Sequence, residues 1–237
     1  MGAGRAHRRR QLAAVFGPGA QRPPLRRLWR EYRSLARWRP PSPDPATLPA
    51  GDGAAVLVIP GFLTADPLTA GLRAFLGACG YHAVGWQLGI NWGPTPRLLA
   101  GLEGALDRLA GPAGAPVHLI GVSLGGLLAR HLAFERPGRV ASVAALCSPF
   151  NLPTASPLEP FVRLCAARYD PAFDVGGLAR PLPVRSLALW SREDGLVTPE
   201  SCFTAGEPAA EVGGPHLVIG RNPRVRLLLA EHLAHPA

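Results

Sequence analysis

The chain has 237 residues, 47% of them hydrophobic, enough for one sizeable buried core, and no apolar run approaches membrane-spanning length. Its net charge of +9 is concentrated at one end: residues 1–40 hold eleven arginines against Glu31 alone, and the remainder is close to neutral. The basicity therefore belongs to the N-terminal stretch, carries no message about substrates of the body, and comes with no nucleic-acid recognition motif.

Residues 1–45 read as an Arg- and Pro-rich extension. The run from Arg8 to Phe16 resembles a twin-arginine export signal, but Gly17-Pro18-Gly19 cuts the apolar stretch short and no cleavage site follows. The expectation is a cytoplasmic chain. Residues 25–38 predict a short basic helix carrying Leu28, Trp29, Tyr32, Leu35 and Trp38 between arginines. Such a helix can lie on an anionic membrane surface, giving a peripheral membrane contact, or pack against the domain. Both readings stay open.

The body, residues 46–237, opens with an apolar strand at 54–59 that runs into Pro60-Gly61-Phe62-Leu63. Further strands are expected near 83–87, 117–122, 140–146 and 184–190. Helix starts are marked where a capping side chain precedes a proline suited to the first helical position, at Asp66-Pro67, Thr95-Pro96, Thr198-Pro199 and Asn222-Pro223. Strands alternating with helices predict an α/β fold with a mostly parallel central sheet. Residues 151–183 break the alternation. They are Pro-rich around one brief helical pattern at 161–165, the size of a small lid insertion.

The most informative stretch is Gly121-Val122-Ser123-Leu124-Gly125-Gly126, where an apolar strand turns sharply into a helix with a serine at the apex. The glycines let strand and helix approach closely, and the hydroxyl is left at the positive end of a helix. A serine hydroxyl is a poor nucleophile at neutral pH, so it needs a base, and the base needs an orienting acid. After the strand at 184–190 comes the polar turn Ser191-Arg192-Glu193-Asp194-Gly195. Asp194, before glycine, is the preferred acid and Glu193 its competitor. A short apolar run at 209–212 leads to Gly213-Gly214-Pro215-His216, and His216 is the preferred base. His118 and His131 fall inside a strand and a helix, His82 lies on the wrong side of the serine, and His7, His232 and His235 lie near the termini. The Pro-Gly turn after the first strand suits an oxyanion-binding loop, with the Phe62 and Leu124 N–H groups as donors. The four cysteines lack paired spacing and suggest neither zinc nor a disulfide framework; Cys79 and Cys147 read as core.

On these pieces, together with the segment from Gly85 to Thr95 (Gly-Trp-Gln-Leu-Gly-Ile-Asn-Trp-Gly-Pro-Thr), Ser148-Pro149-Phe150 and Asn222-Pro223, the body resembles the α/β-hydrolase superfamily, especially its bacterial esterase and lipase branch. The resemblance implies Ser123 as nucleophile, Asp194 as acid, His216 as base, and Phe62 and Leu124 as oxyanion donors. It departs at Pro215, where a small residue is expected before the histidine. The implied activity is hydrolysis of apolar carboxylic esters through an acyl-enzyme, with no metal or organic cofactor required. Leu63, Phe150, Leu152 and Phe161 are the expected substrate-binding residues. An acyltransferase with the same triad and a non-catalytic binding protein on the same fold are the alternatives.

Overall fold

The computed structural model describes residues 15–17 and 19–234; the basic run at 8–14, His7 and His235 lie outside the described residues. Six strands form one parallel sheet: β1 (Ala55–Ile59), β2 (His82–Gly85), β3 (Val117–Val122), β4 (Val140–Leu146), β5 (Arg185–Trp190) and β6 (Ala209–Glu211), in the order β2-β1-β3-β4-β5-β6. The β3 and β4 strands are buried throughout, so they read as continuous apolar runs without alternation.

Alternate strand residues serve opposite faces of the sheet. Leu57, Ile59 and Leu119 pack with helices α3 (Pro96–Ala110) and α4 (Leu124–Glu135). Val56, Val58, Ile120 and Val122 pack with Leu72, Phe75 and Leu76 of α2 (Asp66–Ala78) and with Val225, Leu229 and Leu233 of α6 (Pro223–Ala234). This is the period-two pattern of a sheet covered on both sides. Between β4 and β5 lie a short helix, α5 (Glu159–Cys165), and helical turns at Ala166–Arg168 and Gly176–Ala179.

From β1 the chain crosses to β2 on one side and then returns to β3 on the other. The β1–β3 boundary is thus the topological switch point, and ligands of open α/β sheets bind outside the strand ends there. The Pro60–Leu63 turn and Ser123 follow those two strands.

The N-terminal helix α1 (Leu25–Arg37) packs across the helical turn His216–Arg221. Its inner face is Leu28, Glu31 and Ser34. Leu28 joins an apolar cluster with Leu196, Val197 and Leu217, and the Trp38 ring lies against Gly214. Leu25, Trp29 and Tyr32 face outward, 74%, 73% and 54% exposed, among Arg26, Arg33 and Arg37. The aromatic residues expected along this helix are therefore divided between the domain and solvent. Among the described residues no helix is long and apolar enough to cross a membrane.

Candidate active site

Ser123 stands between β3 and α4 with φ 54° and ψ −122°, a region that side chains rarely occupy. Two glycines make the turn possible. A methyl group at Gly121 would overlap the Gly125 carbonyl, and one at Gly125 would overlap the Ile59 carbonyl. The serine's own N–H is held by Leu146 O at 2.8 Å, which ties the turn to the end of β4. These contacts leave the hydroxyl partly exposed at the start of α4, where backbone N–H groups have no partners within the helix.

Asp194 and His216 are buried together. His216 Nδ1 lies 2.6 Å from Asp194 Oδ2, a direct hydrogen bond that leaves Nε2 free to accept a proton. The other carboxylate oxygen, Asp194 Oδ1, accepts the Leu196 and Val197 N–H groups at 2.7 and 2.8 Å, an Asx-type turn that fixes the acid's orientation. Burial disfavours the imidazolium. The Asp194 charge, its hydrogen bond and the charge of Glu31 outweigh that effect, so the His216 pKa lies above the ordinary histidine value. The neighbouring Glu193 is half-exposed and pairs with Arg30, while accepting the Gly214 N–H at 3.1 Å.

The Ser123 turn and this pair meet at the end of β4. Leu146 accepts the Ser123 N–H, and the next residue, Cys147, has its sulfur within 4.8 Å of the Asp194 and His216 ligand atoms. Among the described residues no hydrogen bond joins Ser123 Oγ to the imidazole. Such bonds often form only once substrate is bound.

The turn after β1 is held by Asn91, which is fully buried. Its side-chain amide donates to Pro60 O at 2.8 Å, its carbonyl accepts the Leu63 N–H at 2.8 Å, and its own N–H donates to Thr64 O at 2.9 Å. Among the described residues the Phe62 and Leu124 N–H groups have no protein acceptor, as oxyanion donors require.

A cavity of about 120 Å³ opens beside Ser123, bounded by Phe62, Leu124, Leu127, Val162, Phe173 and Val197 together with Val15 and Phe16 of the N-terminal stretch. The four expected substrate-binding residues do not line it. Phe150 is fully buried beneath the Arg130 guanidinium, 4.0 Å from its ring centroid. Phe161 points outward from α5, 53% exposed, and its neighbour Val162 faces the cavity instead. Leu63, at φ 59°, turns aside with the Asn91 clamp, and Leu152 is half-buried before Pro153. Residue type predicts apolar lining, but the phase of a short helix and the path of a loop decide which apolar residue provides it.

Two of the other histidines are engaged elsewhere. His118 Nδ1 lies 2.8 Å from Ser142 Oγ, and His131 packs on Phe173 at 5.0 Å. Cys147, expected as core, is buried beside the acid–base pair, and burial followed by the Asp194 charge pushes its thiol well up, keeping it protonated. Cys147, Asp194 and His216 are close enough to share an ion. However, His216 Nδ1 and Asp194 Oδ2 already bond to each other at 2.6 Å, Asp194 Oδ1 accepts two N–H groups, and the thiol is held protonated by burial.

Two features went unread in the sequence: the Asn91 clamp, within the segment from Gly85 to Thr95, and the role of Glu31. Glu31 Oε1 accepts the Gly195 and His216 N–H groups and Oε2 accepts the Leu217 N–H, each at 2.9 Å. The one clue was its standing as the sole acid in an arginine-rich stretch.

The chain has the α/β-hydrolase fold. No protein-family model matches it, and no curated protein matches it in sequence. Solved structures do match in fold. One is the enol-lactonase from Burkholderia xenovorans, with TM-score 0.58 and 16% identity over 79% of this chain and 95% of that one. A structure from the metagenome-derived lipolytic enzymes LipS and LipT gives TM-score 0.57 and 16% identity over 78% and 93%. The thioesterase domain from the curacin biosynthetic pathway gives 0.52 and 15% over 77% and 90%. These structural neighbours are hydrolases.

Proposed function

We propose that this protein is a serine hydrolase of carboxylic esters with an apolar acyl group. The observation that carries the reading is the buried Asp194–His216 hydrogen bond of 2.6 Å at the same strand ends as a strained Ser123 that opens onto an apolar cavity. Lipolytic, lactonase and thioesterase neighbours on the same fold agree with it.

In this reading His216 Nε2 takes the Ser123 proton as Oγ bonds to the ester carbonyl carbon, and Asp194 stabilises the resulting imidazolium. The Phe62 and Leu124 N–H groups hold the oxyanion, each contributing about 3 kcal/mol. Collapse of the tetrahedral intermediate breaks the bond to the alcohol oxygen, which leaves with the proton from His216. Water then attacks the acyl-enzyme, giving its proton to His216, and the acid departs as Ser123 is restored. Among the described residues Asp170 is the sole charged one bounding the cavity, so a negatively charged acyl chain is disfavoured.

The test is labelling by a fluorophosphonate together with turnover on p-nitrophenyl esters of increasing acyl length. Wild-type protein should label at Ser123 and hydrolyse the esters, and Ser123→Ala should lose both while keeping its melting temperature. Turnover in Ser123→Ala above a few per cent of wild type refutes the nucleophile. Competing alcohols in the same assay report acyl transfer. We also propose a cytoplasmic protein in peripheral contact with an anionic membrane surface, a reading supported by the outward Leu25, Trp29 and Tyr32 among arginines.

A further inference from the structure

Glu31 is 1% exposed, and a carboxylate so buried is expensive unless its oxygens are filled. Here three backbone N–H groups fill them, and all three lie beside the acid–base pair. Gly195 directly follows Asp194, while His216 and Leu217 begin the helical turn His216–Arg221. The first N–H groups of any helical turn lack partners within it. The residue before this turn is Pro215, which offers no capping side chain. Glu31 supplies that cap from 185 residues away in sequence. The departure at Pro215 from the expected small residue thus coincides with a cap provided by another part of the chain.

The approach of α1 is equally specific. A methyl group at Gly195 would stand 2.8 Å from the Arg27 carbonyl and from Glu31 Cγ, so the helix settles on the acid loop where no side chain intervenes. On the other side, Arg221 Nη1 donates to Leu35 O at 2.9 Å, and Ser34 Oγ donates to Glu31 O at 2.6 Å.

We propose that Glu31 is a positioning residue for the Asp194–His216 pair: its carboxylate bridges the acid loop to the histidine turn and sets their separation. The proposal rests on the triad reading above. The titratable groups facing His216 are Asp194 from the acid loop, Glu31 from α1 and Cys147 from the end of β4. The thiol is neutral, so Asp194 and Glu31 are the two charges that favour the imidazolium, Asp194 the stronger.

The experiment uses the full chain with Glu31→Gln, which keeps the shape and one acceptor oxygen but loses the charge and the bond to the Leu217 N–H. On a soluble short-chain ester, well below the melting temperature, kcat should fall about 10-fold or more with KM unchanged, as small misplacements of catalytic groups do. The acid limb of kcat/KM should move to lower pH, because the imidazolium has lost a neighbouring charge. Glu31→Asp should return the limb toward its wild-type position while recovering part of kcat. Fluorophosphonate labelling of wild type separates the two ideas: no labelling at Ser123 refutes the triad and, with it, the positioning role that rests on it. Labelling in wild type, with Glu31→Gln matching it in rate and pH profile and differing only in melting temperature, overturns the positioning role. Should Glu31→Gln fail to fold, Gly195→Ala, which wedges α1 away from the loop, carries the same test: unchanged kcat overturns the proposal.

Discussion

At Ser123 the backbone is held by exclusion. Gly121 and Gly125 allow a strand, a helix and the end of β1 to touch where any side chain would collide. Around His216 it is held by acceptance: Asp194 takes two N–H groups, Glu31 takes three and Glu193 one, while Asn222 donates to Val212 O at 2.9 Å and Gly213 O at 3.0 Å. The first device is close backbone packing: β3 and α4, adjacent along the chain, meet at Gly121, and the end of β1 closes on Gly125. The second draws acceptors from residues far away in sequence, including a helix that comes before the first strand. The Asp194–His216 half of the site is therefore the half that depends on the N-terminal segment.

The contrast can be broken from either side. The largest effect is expected from Gly125→Ala, whose methyl meets the rigid Ile59 and Pro60 carbonyls; it should destabilise the fold by about 4 kcal/mol or more, read by thermal melting, with loss of Ser123 labelling. A variant that melts like wild type would show that the packing has slack.

Next in size is the buried acid. Asp194→Asn should keep the Asx turn but present the wrong hydrogen-bond partner to the imidazole, lowering kcat by about four orders of magnitude. Its exposed neighbour offers the control: Glu193→Gln should stay within about threefold of wild type, since half-exposed ion pairs contribute little. A reversed ranking in steady-state assays would move the acid by one residue.

The pH profile sharpens the same point. In the proposed mechanism His216 must be neutral to act as base, and Asp194 and Glu31 favour its charged form more than burial opposes it. The acid limb of kcat/KM should therefore have its midpoint above the ordinary histidine value of about 6.5. Activity is lost as pH falls through that midpoint. A midpoint below 6.5 would mean that burial, not the carboxylates, governs the ring.

The smallest effect belongs to the outer face of α1, opposite Glu31. Trp29→Ala should weaken co-sedimentation with anionic vesicles and leave turnover on a soluble ester at the wild-type level. The binding should fall with salt, since exposed arginines are screened beyond about 8 Å at physiological ionic strength. Vesicle binding that ignores both the substitution and the salt would discard the membrane contact.

What the sequence determined by itself is the part governed by neighbours along the chain. Apolar runs ending at Ile59 and Val122, the Gly121 turn before Ser123, and the Thr95-Pro96 and Asn222-Pro223 helix starts express geometry set by neighbours along the chain. The order of serine, acid and histidine after β3, β5 and β6 is legible because a parallel sheet brings every strand's C-terminal end to one edge. Tertiary structure alone decided the rest. Which face of α5 meets the cavity, which loop Asn91 clamps, and which N–H groups Glu31 accepts depend on contacts between segments with no shared period. A glutamate among arginines looks like a solvated charge until α1 is laid across the two loops. Its meaning comes from the orphan donors of another segment, and those exist only once the chain has folded.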